Sequence, residues 1–310
     1  MPSSKKVVAS RSPLRSMLWI IVFLTLGSML VANSFSFLQG SQLKEGNIAV
    51  IPVKGIILTD DANSFSQEVT PSSEIVSFIE DAAADDSIKG ILLEINSPGG
   101  SAVAAEEVAY AIEHAGKPTV SWIRDIGTSG AYWIASSTDH IVASRMSIVG
   151  SIGVTASYLQ FSGLLSDYNI SYQRLVAGKY KDIGSPLRSM TREERILLQR
   201  QLDIVHGFFI DTIAENRNLS RVSVAKMATG MFYVGSDAHS KGLVDTLGGK
   251  AAAITYLESE IGMNGTLHVY ARDRSFLDLL SSVFSGQSFS VGQGIGSALV
   301  ERNSGIDVRI

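Results

Sequence analysis

Residues 91–116 read ILLEINSPGGSAVAAEEVAYAIEHAG, and this stretch decides the fold. An apolar segment at 88–96, rich in Ile and Leu, predicts a strand. The turn Asn96-Ser97-Pro98-Gly99-Gly100 ends it, and 102–115 predicts a helix. A strand that hands over to a helix through glycines is the building unit of an α/β fold, with sites expected at the handover. Outward from this unit the same succession continues. Residues 48–58 and 119–123 predict strands, and Thr70, Pro71 and the apolar spacing to Ile79 predict a capped helix between the first two strands. Residues 131–136 predict a short helix, 152–156 and 171–176 further strands, and 191–216 a long amphipathic helix. A helix at 248–261 and a strand at 266–271 close the pattern. No repeat of fixed period is present.

Ahead of this body lies a different kind of sequence. Residues 18–38, LWIIVFLTLGSMLVANSFSFL, carry no charge, and at about 1.5 Å per residue they are long enough to cross a bilayer. Lys5, Lys6, Arg11 and Arg15 precede them, which places the N-terminus on the cytoplasmic side and the body outside the cytoplasm. A cleaved signal peptide is the competing reading; no A-x-A pattern follows the run. The expected organisation is a basic cytoplasmic N-terminus (1–17), a single-pass transmembrane anchor in the cytoplasmic membrane (18–38), a linker (39–46), a catalytic domain (47–272) and a loosely ordered tail (273–310). Within that tail Phe276, Leu277, Leu279 and Leu280 could form a short docking helix.

Charge and composition exclude several function classes. The first 44 residues hold five basic residues and no acid, so the remainder carries 21 of the 26 basic residues against all 30 acidic ones, net −9. Nucleic-acid binding is disfavoured, because phosphate neutralisation needs a clustered basic face. With no cysteine there is no disulfide, thiolate metal site or cysteine nucleophile. The five histidines stand at least 26 residues apart and form no short-range ligand pair, so no metal is implied. Gly248-Gly249-Lys250 has Val244 where a P-loop begins with glycine and Ala251 where it needs Ser or Thr. No cofactor is implied.

Three segments carry chemistry. The Asn96–Gly100 turn can bring backbone N–H groups close to a ligand at a helix N-terminus, as an oxyanion hole requires; an ordinary strand-to-helix turn has the same composition. Gly127-Thr128-Ser129-Gly130-Ala131-Tyr132-Trp133 squeezes a serine between small residues at the mouth of a helix, where it is either a presented nucleophile or a helix cap. Gly178-Lys179-Tyr180-Lys181-Asp182-Ile183-Gly184-Ser185-Pro186 is a basic loop punctuated by glycine. Loop lysines are ordinarily solvated.

Together these segments resemble the signal peptide peptidase A family of serine proteases, within the fold group shared with crotonases and the Clp protease. The resemblance runs from about 47 to 272 through VIPVKGII, ILLEINSPGGS, TSGAYWIASS, GSIGV, AGKYKDIGSPLRSMT and FYVGSDAHSKGLVDTLGG. It implies a Ser/Lys dyad with Ser129 as nucleophile and Lys181 as general base. It further implies Ser151 as a hydrogen-bond partner of the lysine, and the N–H groups of Gly100 and Gly130 as the oxyanion hole. The family pattern expects an Ala-Ser-Gly-Gly-Tyr run, and Thr128 and Ala131 depart from it, which bears on the width of the specificity pocket. A free lysine has a pKa of about 10.4, so a base at neutral pH must be buried, with hydroxyl partners and no facing carboxylate. Asp182 is therefore expected to point away from Lys181.

The resemblance also implies peptide substrates, in particular remnant signal peptides in the membrane, and a homo-oligomeric ring in which Lys181 of one subunit serves Ser129 of the next. Competing readings are an α/β-hydrolase, whose G-x-S-x-G motif fails at Ala131, and a Clp-type triad, for which His140 lies too close behind Ser129. A related membrane-protein protease, or a non-catalytic crotonase-like membrane scaffold, would share the fold.

Overall fold

The computed structural model describes residues 46–60 and 68–271, together with residues 19, 21–25, 27 and 28, which are helical. Residues 1–17, most of the anchor expected at 18–38, most of the linker and the tail at 273–310 lie outside the described residues. Among the described residues no helix is long and apolar enough to cross a membrane.

The strands are β1 (Ile48–Leu58), β2 (Val69–Pro71), β3 (Gly90–Gly100), β4 (Thr119–Thr128), β5 (His140–Ala143), β6 (Ile148–Gly150), β7 (Phe232–Val234), β8 (Thr246–Leu247) and β9 (Leu267–Val269). Among the described residues they form one sheet of order β2-β1-β3-β4-β5-β8, with β6 on β4, β7 on β6 and β9 on β1. Every pairing is parallel except that of β6 with β7. The helices are α1 (Ser72–Ala84), α2 (Ala102–Glu113), α3 (Gly130–Ser136), α4 (Ser162–Asp167), α5 (Arg192–Asn216), α6 (Arg221–Met227), α7 (Gly235–Ser240) and α8 (Lys250–Ile261). The expected α/β class is what the chain adopts.

Parallel strands joined by helices need cover on both faces, which is why the central strands read as unbroken apolar runs. Leu93 and Ile95 of β3 pack into the larger core with Ile75 and Ile79 of α1, Val108 and Ile112 of α2 and Tyr132 of α3. Leu92, between them in sequence, faces the other way and meets Val50, Val120 and the α8 residues Ala253 and Leu257. Each such side chain contributes about 1.5–3 kcal/mol when fully buried.

Four local expectations need correction. Residues 152–156 and 171–176 are not strands; the former hold a single backbone bond, from the Gly230 N–H to the Ile152 carbonyl at 3.0 Å, and from Gly153 to Glu193 no residue is buried. This stretch is an arm on the body rather than part of it. The strand expected at 119–123 runs on to Thr128, directly into the serine. Thr70 does not cap α1: its hydroxyl donates to the Lys54 carbonyl across the sheet, and Pro71 holds the cap position without a side-chain bond. By contrast α5 starts at the expected place, with a capping box between Thr191 and Glu194.

Candidate active site

The site lies at the C-terminal ends of β1, β3 and β4. A register shift between Ile95 and Ser97 places Ser97 opposite Gly127, and Ile57 pairs with Gly100. The two glycine-containing turns, Pro98–Gly100 and Gly127–Gly130, are thereby set side by side.

Ser129 occupies the N-cap position of α3 at φ 53° and ψ −128°, with no side-chain capping bond. Such a backbone costs on the order of 1–3 kcal/mol for a residue with a Cβ. Its surroundings hold it there: the Ser129 N–H donates to the Gly150 carbonyl at 2.8 Å, and its own carbonyl accepts from the Tyr132 and Trp133 amides. Every residue of α3 is buried, and the Tyr132 hydroxyl donates to the Leu243 carbonyl at 2.8 Å. Ser129 itself is only half-buried. A serine so placed is presented by a rigid scaffold, and its hydroxyl is not consumed by the helix.

Gly100 and Gly130, the two residues expected to supply oxyanion donors, lie close together. A Cβ built at Gly130 would lie 3.4 Å from the Gly100 nitrogen. The Ser101 N–H donates to Ile57 in the neighbouring strand; successive N–H groups of a strand point to opposite edges, so that of Gly100 points toward the serine turn. The Gly130 N–H is the first of a helix and has no intrahelical acceptor. Gly99 is the residue that permits this approach. At φ 97°, a side chain there would meet the Gly130 nitrogen and Thr128 carbonyl at 2.7 Å and Ser129 Cβ at 2.9 Å.

Two residues that the sequence reading did not assign build this geometry. Ser97, fully buried, donates to the Gly55 carbonyl at 2.6 Å and accepts from the Gly99 N–H at 3.0 Å, fixing the first turn. Thr128, also buried, donates its hydroxyl to the Pro98 carbonyl at 3.1 Å and so ties the serine turn to the glycine turn. Its departure from the family pattern was the available signal; its role here is a strut between turns.

Ser151, at φ 51°, follows directly on Gly150, the backbone partner of Ser129. Its hydroxyl donates to the Gly230 carbonyl at 3.1 Å and not to a lysine. Lys181 lies in the arm. Its side chain is exposed and, among the described residues, makes no hydrogen bond or ion pair; the burial expected for it is therefore absent within a single chain. Asp182 does point elsewhere, as expected. It takes two guanidinium groups, Arg174 at 2.7 Å and Arg188 at 2.8 Å, which hold its carboxyl well below the usual carboxylate range. His140 is structural: it hydrogen-bonds Thr246 at 2.9 Å and stacks on Tyr256.

The peptidase family S49 model matches residues 111–264, which include the serine turn and the lysine loop. A Methanocaldococcus jannaschii protein named as a protease is 37% identical over 240 residues, covering 76% of this chain and 75% of that one. The chain belongs to peptidase family S49. An Enterococcus faecium protein named as a signal peptide peptidase SppA is 29% identical to this S49 peptidase over 84% of its chain and 77% of its own. Among solved structures, the 1510-N membrane-bound stomatin-specific protease superposes with a TM-score of 0.47 at 13% identity, over 74% of this peptidase and all of that chain.

Proposed function

We propose that this S49 peptidase is a membrane-anchored serine endopeptidase with a Ser129/Lys181 dyad on a Clp/crotonase-like core. Its substrates are remnant signal peptides, and Lys181 reaches Ser129 from a neighbouring copy. The observation that carries the reading is Ser129 held at positive φ beside the Gly100 and Gly130 amides. In the reaction the neutral Lys181 amine takes the Ser129 Oγ proton as Oγ attacks the scissile carbonyl carbon. The carbonyl oxygen, now negative, is met by the two glycine N–H groups. The lysine ammonium passes its proton to the leaving amine nitrogen as the C–N bond breaks. Water, giving a proton to the same lysine, then attacks the acyl carbon, and as the C–Oγ bond breaks the ammonium returns that proton to Ser129 Oγ and the acid is released.

The arm supports a lysine supplied in trans. From Gly153 to Glu193 no residue is fully buried in its own chain, and the arm leaves Leu159 73%, Leu164 55%, Ile170 56% and Leu175 96% exposed. Large apolar side chains left open on one segment are what contact with another protein would cover. Burial against a second copy would remove water from the lysine, the condition under which an ammonium loses its proton near neutral pH. The test is cleavage of an apolar signal-peptide sequence by the full chain in detergent, together with fluorophosphonate labelling. The expected outcome is labelling at Ser129 and loss of cleavage in both Ser129→Ala and Lys181→Ala. A folded protein that neither labels nor cleaves would leave a non-catalytic scaffold.

A further inference from the structure

The arm lacks an apolar core and is held by charge instead. After Ile152 the next buried residue is Glu194, a carboxylate 4% exposed at the start of α5. Arg188 lies between two acids. It donates Nε to Asp182 Oδ2 at 2.8 Å and Nη2 to Oδ1 at 3.0 Å, and it reaches both oxygens of Glu194 through Nη1 at 2.9 Å and Nη2 at 2.5 Å. Arg174 closes the other side of Asp182 with two bonds of 2.7 Å. Glu194 in turn accepts from the Thr191 N–H in the capping box. The four side chains sum to zero charge and form one continuous ladder from the arm to the first turn of α5.

The ladder also grips the backbone on both sides of Lys181. Arg174 Nη2 donates to the Lys179 carbonyl at 3.1 Å, and Arg188 Nη2 donates to the Asp182 carbonyl at 3.3 Å. Lys179 reinforces the same anchorage through Glu193 at 2.8 Å, leaving Lys181 as the cation of this turn without an acid. We propose that Asp182 and Arg188 are positioning residues for the general base: with Arg174 and Glu194 they clamp the 178–184 turn to the N-terminus of α5 so that Lys181 projects at a fixed place. Planar guanidinium forks suit this because each fixes orientation through paired bonds, which a lysine at position 188 could not do. This rests on Lys181 being the base, and holds whichever copy supplies the serine.

Steady-state kinetics of the full-length enzyme test it. A misplaced catalytic group costs on the order of 100-fold per ångström, so Asp182→Asn and Arg188→Met should each lower kcat about 30–100-fold with KM nearly unchanged. Asp182→Glu, which keeps the charge, should recover most of the rate, and Arg188→Lys should recover little. In a Lys181→Ala background, adding Asp182→Asn should remove none of the residual rate. Wild-type kcat in Asp182→Asn and Arg188→Met, alongside an inactive Lys181→Ala, would overturn the clamp and leave the dyad standing. A further fall in the double variant, or a rise in KM in place of the fall in kcat, would also overturn it. An active Lys181→Ala would instead remove the dyad itself.

Discussion

Ser129, Gly99 and Thr128 depend on one another at the scale of single residues. The serine holds a positive φ because β4 delivers it straight into a buried helix, and the Gly99 turn can lie against it only without a Cβ. Gly99→Ala should therefore destabilise the fold by roughly 3 kcal/mol, combining overpacking with backbone strain, as measured by chemical denaturation. Thr128→Val keeps the shape but leaves the Pro98 carbonyl without its donor. A hydrogen bond of this kind is worth about 1 kcal/mol, so kcat should fall by about 5- to 10-fold, with Thr128→Ser close to wild type. Lys181→Arg should be as inactive as Lys181→Ala, since a guanidinium stays protonated and cannot accept the serine proton; cleavage approaching the wild-type rate in either variant would count against the base.

The arm between Gly153 and Glu193 carries the proposed base, and its anchorage is ionic. The Arg188 guanidinium, with the Thr191 amide, lowers the Glu194 carboxyl to about 2. A group whose folded pKa is depressed stabilises the fold above its unfolded value and loses that contribution as pH falls through the folded one. The ladder should hold across neutral pH and fail between about pH 4, the free carboxylate value, and pH 2. The chain has no cysteine, so Leu175→Cys offers a unique site for a nitroxide label on the arm. Its spectrum should be constant from pH 8 to 5 and sharpen as pH falls below about 4. In Arg188→Met it should already be sharp at pH 7; an unchanged spectrum there would show that the ladder does not hold the arm.

Assembly and placement belong to the whole molecule. If Lys181 serves a neighbouring Ser129, an oligomer co-refolded from equal amounts of Ser129→Ala and Lys181→Ala chains should regain activity. With random mixing about a quarter of sites would hold both groups in a ring of repeated contacts. No activity from a mixed oligomer of verified mass would mean that both groups come from one chain. The basic residues ahead of the 18–38 run predict a body outside the cytoplasm. A protease added to cells stripped of any outer barrier should therefore digest it, and digestion only in inverted vesicles would reverse the orientation.

What the sequence determined by itself was whatever depends on near neighbours along the chain. The bounds of β1, the start of α5 at its capping box, the NSPGG turn and the serine at the mouth of α3 were all legible, because side-chain periodicity, capping and glycine chemistry act within a few residues. The resemblance in the order of motifs singled out Ser129 and Lys181 as the proposed dyad. Tertiary structure decided the rest. Residues 152–156 and 171–176 read as strands, yet a strand exists only where another backbone completes its ladder of hydrogen bonds, and beyond the one bond from Gly230 to Ile152 no such ladder forms there. The strut from Thr128 to Pro98 spans 30 residues and the larger core gathers α1, α2, α3 and α5 on one sheet face. Whether Lys181 is buried or exposed follows from what surrounds the arm, and no local pattern encodes that, because burial is a property of distant surfaces meeting.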